Sequence, residues 1–76
     1  MELFIVEVEF LIGKNKGQVW KYYNLNIIQV HELHASFSLQ MIRECNIFVK
    51  VNYEPSRRIS IEEFIYHFNI YEGILD

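Results

Sequence analysis

The chain has 76 residues, one domain's worth, and nine Glu and one Asp against seven Lys and Arg leave a net charge of -3. Hydrophobic residues make up 51% and aromatics 16%, with three Gly and one Pro. This composition excludes a disordered tail, a collagen-like repeat, a low-complexity linker and a polybasic nucleic-acid arm.

Residues 3–12 alternate with period two, so Phe4, Val6, Val8, Phe10 and Ile12 share one face and Glu7 and Glu9 the other. That pattern predicts a half-buried strand whose glutamates solvate the outer sheet face. Met1 to Ile12 does not read as a signal peptide, because acids interrupt it and no base precedes them. It is also too short for a membrane span of ~20 apolar residues. The expectation is a soluble, unprocessed, cytoplasmic protein. Gly13-Lys14-Asn15-Lys16-Gly17 then forms a turn, with glycines where positive φ is needed. Residues 18–23 are rich in β-formers and complete a first hairpin.

Residues 24–34 fit two descriptions: Ile27, Val30 and His34 a helical stripe, Leu25 and Ile27 a strand face. Beyond them Ala35, Phe37, Leu39 and Met41 alternate with Ser36, Ser38 and Gln40, and Ile47, Val49, Val51 and Tyr53 repeat the pattern after an Arg43–Asn46 turn. This predicts a second hairpin, 35–42 with 46–54. Pro55, within Glu54–Arg58, is expected to end the sheet, since proline cannot continue a central ladder. Ser60 stands three residues before Glu63 as a capping box, with Ile59 and Phe64 placed to staple across it. Ile61, Phe64, Ile65 and Phe68 make an apolar stripe, so a helix is predicted over 60–71 with Gly73 as its terminator. The expected fold is one α+β domain over 1–76. It has a small antiparallel sheet of two hairpins (four strands, or five if 24–34 adds one) with a C-terminal amphipathic helix on one face.

No constellation points to catalysis or to a metal. His31 and His34 are three apart, whereas the zinc-protease helix needs four. A His31/His34/Cys45 site lacks a fourth ligand. Cys45 is the single cysteine, so there is no disulfide framework, and no glycine-rich nucleophile loop precedes it. Glu62 and Glu63 suit the positive end of a helix dipole better than acid–base work. The reading is therefore a non-enzyme without cofactor.

One Trp, five Tyr and six Phe are more rings than so short a chain hides in a core. Trp20, Tyr22 and Tyr23 crowd one short strand and put rings on both of its faces, and Tyr66 and Tyr71 extend from the helix. Tyr and Trp are enriched in binding hot spots, and a small sheet has edges that pair with other chains. The expected function is a small protein-binding regulator or inhibitor that occupies a partner's surface. Homodimerisation follows from the same features. Compact acidic chains of this kind are carried by phages and mobile elements, an analogy of size and composition alone. The predicted contact residues are Trp20, Tyr22 and Tyr23, with Tyr66 and the helix start at Glu62 and Glu63 as a second patch. The alternative is a nucleic-acid-binding accessory protein, in which the Lys14/Lys16 and Arg57/Arg58 turns meet at one end of the sheet. A line of Glu7, Glu9, Glu62, Glu63 and Glu72 imitating a phosphate backbone is a weak reading, because the net charge is only -3.

Overall fold

Alternation in the first strand decides which side of the sheet becomes the interior. The computed structural model describes residues 2–68. In it β1 (Phe4–Phe10), β2 (Val19–Leu25), β3 (Cys45–Val51) and β4 (Glu54–Ser60) form one antiparallel sheet in the order β2-β1-β3-β4. Phe4, Val6, Val8 and Phe10 of β1 are buried beside Cys45, Ile47 and Val49 of β3. Val6 and Val8 are fully excluded from water, worth roughly 1.5–3 kcal/mol each.

The helices α1 (Ile27–Ser36), α2 (Leu39–Glu44) and α3 (Ile61–Phe68) all add apolar side chains to this same layer. Val30 enters from α1, Met41 and Ile42 from α2, Ile61 and Phe64 from α3. The Phe64 ring meets Phe4 edge-on, with centroids 5.0 Å apart. The Ser60 hydroxyl accepts the Glu63 N–H at 3.2 Å, so the cap read from Ser-x-x-Glu starts the helix as expected. The Phe68 side chain, Tyr71, Glu72 and Gly73 lie outside the described residues.

The α+β class and the four-stranded antiparallel sheet stand, but the middle of the chain corrects the sequence reading. Of residues 24–34, Asn24 and Leu25 complete β2 and the rest turn into helix from Ile27, because Asn26 and Gln29 form a reciprocal capping box. The Asn26 side chain accepts the Gln29 N–H at 2.8 Å, and the Gln29 side chain accepts the Asn26 N–H at 2.9 Å. The predicted strand at 35–42 is instead the end of α1 and most of α2. Its serines serve helices: Ser36 Oγ donates to the Leu33 carbonyl at 2.6 Å, and Ser38 Oγ accepts the Met41 N–H at 3.1 Å. Leu33, Phe37 and Met41, spaced by four, pack on the core, whereas Leu39 is exposed. Helical spacing, interrupted once, thus overrides the apparent period of two.

The second hairpin joins β3 to β4 across Asn52 and Tyr53, with Val51 opposite Glu54. Pro55 does not end the sheet. Between Lys50 (opposite Arg58) and Val51 the register shifts, so residues 55–57 take no position in the ladder. An edge strand and an irregular stretch are both places where a sheet tolerates proline, and β4 offers both.

Candidate functional site

The three rings of β2 divide between the sheet faces, as strand alternation requires. Trp20 pairs with Val8 and Tyr22 with Val6, so both lie on the helix-covered side, and Tyr23 turns to the other. The Trp20 ring rests on Phe10, centroids 4.6 Å apart, and its indole Nε1 donates to Gln18 Oε1 at 3.2 Å. It is nevertheless 42% exposed. Tyr22 is half-buried beside Phe37, ring centroids 6.4 Å apart. Tyr23 is 58% exposed. Tyr66 is 81% exposed, and Glu62 and Glu63 are exposed at the start of α3. Because α3 packs by β3 and β4, these three stand across the sheet from β2. Trp20 and Tyr22 are brought together; Tyr23 and the second patch are not joined to them.

Beside Trp20 lies a groove of about 400 Å³ that the sequence did not reveal, lined chiefly by Phe10, Ile12, Trp20, Met41, Glu44 and Cys45. It exists because α2 is only six residues long and sits by β3, leaving the β1–β2 loop end of the sheet partly roofed. That loop is set by Gly13 and Gly17, with φ of 86° and 89°, and is tied to α2 by the Leu11 N–H donating to the Glu44 carbonyl at 2.9 Å. Ile12, predicted to face the core, is exposed at the groove instead. The buried Cys45 thiol is held above its ordinary pKa, first by desolvation and then by the Glu44 carboxylate, which disfavours its thiolate. His31 and His34 lie on α1, away from any grouping of ligands. Among the described residues, no three His, Cys, Asp or Glu side chains gather where they could hold a metal ion.

The bases do not meet as the alternative reading expected. Lys14 and Lys16 follow the Phe10 end of β1, level with Cys45. Arg58 pairs with Lys50, which pairs with Ile5, at the opposite end and the opposite edge. Antiparallel topology therefore separates the Lys14/Lys16 and Arg57/Arg58 turns.

A different set collects on the sheet face that bears no described helix. Glu7, expected to be solvated, is only 7% exposed. Lys50 Nζ reaches its carboxylate at 2.7 Å and Lys21 Nζ at 3.8 Å. Arg58 lies over the Phe48 ring, 4.1 Å from its centroid. Alternation showed that Glu7 points outward, but not that two long cationic side chains would fold over it. No helix among the described residues is long and apolar enough to cross a membrane. Comparison with protein-family models, curated proteins and solved structures finds no match for this chain.

Proposed function

We propose that the chain is a non-catalytic protein-binding module, acting as a small regulator or inhibitor by occupying a partner's surface with Trp20 and the groove beside it. One observation carries this reading: Trp20 is held by Phe10 and Gln18 yet left 42% open at the mouth of that groove. A ring already fixed in its rotamer loses little entropy when a partner covers it, and buried Trp anchors dominate many interfaces. Ile12 and Met41 extend the apolar lining, and Lys14 and Glu44 supply a polar rim. Tyr22 supports Trp20 from within the same face. Tyr23, Tyr66, Glu62 and Glu63 stand outside this surface.

The test is capture from lysate of the cells that encode the chain, with and without nuclease treatment, the tagged protein and its Trp20→Ala variant being compared by mass spectrometry. A stoichiometric protein retained by the parent and lost from the folded variant is the expected result. Capture of nucleic acid alone, or of nothing but the chain itself, overturns the reading.

A second reading rests on Lys50 and Arg58, like charges set directly opposite one another on the uncovered face. Such a pair destabilises a sheet unless something offsets it. Lys50 has Glu7, and an anion is the natural counterpart for Arg58. With Lys21 nearby and the exposed Tyr23 as a stacking ring, single-stranded nucleic acid fits this face better than it fits the separated Lys14/Lys16 and Arg57/Arg58 turns. A salt titration with an oligonucleotide decides it: steep weakening as salt rises supports this reading, and absence of binding at low salt removes it.

A further inference from the structure

Among the described residues, β2 is bordered on one side only. The Phe10 N–H donates to the Gln18 carbonyl at 3.0 Å, and the Phe10 carbonyl accepts from Gly17 at 2.9 Å, so the Phe10 main chain points at β2. Along an antiparallel ladder this orientation alternates. Val8 and Val6 therefore also point at β2 and engage Trp20 and Tyr22, while the N–H and C=O groups of Val19, Lys21 and Tyr23 face the open side. A row of unpaired main-chain groups is a template for another strand.

We propose that a second copy of the chain fills that place, β2 pairing antiparallel with β2 across a two-fold axis at Tyr22. Such an axis, perpendicular to the sheet, keeps like faces together and passes midway between the two copies of one residue. Centred on Lys21, it sets two ammonium groups face to face. Centred on Tyr23, it runs the ladder straight into Asn24, whose φ of 58° breaks the strand. Centred on Tyr22, it sets Lys21 opposite Tyr23 twice. Each cation then lies beside an exposed phenol ring, and no like charges are opposed. The main chains of Lys21 and Tyr23, both open among the described residues of a single copy, exchange their hydrogen bonds. The four-stranded sheet continues unbroken into its copy. This goes beyond the Trp20 groove, which opens on the helix side, and stands whether or not that groove takes a partner.

Sedimentation equilibrium on the purified full chain tests it, with an expected mass twice the 9.2 kDa of one chain. Lys21→Pro removes an N–H that makes no bond among the described residues, so it should give a folded monomer with unchanged far-UV dichroism. Tyr23→Lys, at an exposed site, opposes two lysine pairs and should weaken the dimer about tenfold. Tyr23→Glu supplies Lys21 with an acid and should keep or tighten it. A monomer throughout the micromolar to millimolar range overturns the proposal. So does a dimer indifferent to Lys21→Pro and Tyr23→Lys, or one that Tyr23→Glu dissociates as readily as Tyr23→Lys.

Discussion

The two borders of this sheet are built from opposite materials. β4 carries Pro55, Arg57 and Arg58 and a shift that takes residues 55–57 out of the ladder. These are the devices by which proteins keep a sheet edge from pairing with another chain. β2 carries Val19, Trp20, Tyr22 and Tyr23, with Lys21 as its one charge. Its only irregularity lies at Asn24, where a positive φ absorbs the shift between Phe4 and Val6 and the side chain accepts from Asn52 Nδ2 at 3.0 Å. One edge is closed by its sequence and the other left ready to pair. The difference is why the proposed self-pairing is placed at β2 and not at β4.

The largest effect is expected from Tyr22→Pro. Its N–H faces β1, so proline there removes a ladder bond, leaves the facing carbonyl unpaired and should cost up to about 3 kcal/mol. Lys21→Pro, one residue away, should cost a small fraction of that. Urea denaturation of the two variants checks the contrast, and equal losses would refute the assignment of the open side. Next is Glu7→Ala, which strips Lys50 of its 2.7 Å partner and should destabilise by about 2 kcal/mol. Lys21→Ala, breaking the longer 3.8 Å pair of an exposed side chain, should cost under ~0.5 kcal/mol in the same measurement. At the closed edge, Arg58→Ala loses the stacking on Phe48 but also relieves Lys50 of a like charge. Its net effect should fall within ~0.5 kcal/mol of zero, so a larger loss would show that Arg58 holds β4 in place.

The smallest effect concerns pH. The Cys45 thiol is raised in the folded chain, so as pH climbs past about 8.5 the unfolded chain releases its proton first. Stability linked to the protonated thiol is fully present below that pH and is lost as pH rises towards the folded value. Urea midpoints should drift downward in alkali for the parent, and Cys45→Ala should remove that part of the drift.

Much of this was readable where local chemistry and tertiary demand agree. The alternation of Phe4, Val6, Val8 and Phe10, the Gly13 and Gly17 turn and the Ser60 cap each have one physical solution and appear as read, whereas Ile12 and Glu7, at the end and on the outer face of that pattern, do not. Residues 35–44 mislead because serines at 36 and 38 imitate a polar strand face while serving helix carbonyls and N–H groups. The signal that resolves α1, Asn26 with Gln29 three residues on, is local and lay in view. β4 was hidden because a proline forbids a central strand but not an edge, and strand order is a property of the whole sheet. For the same reason Lys14/Lys16 and Arg57/Arg58 could not be placed from sequence. The groove at Trp20 depends on how far a six-residue helix reaches, which no single stretch encodes.

Glu7 has a further consequence for how the chain finds its fold. Side chains in a strand change sides at every residue, so a slip of β1 by one position exchanges the whole of one face for the other. Val6 and Val8 would leave the interior, and Glu7 would enter it with neither lysine in reach. A buried carboxylate without a counter-charge costs several kcal/mol, a large share of what a chain this size has to spare. The correct alignment alone lets Lys50 and Lys21 close over Glu7. The carboxylate that looked like surface decoration thus makes misaligned sheets self-rejecting, so the central strands settle on one solution during folding.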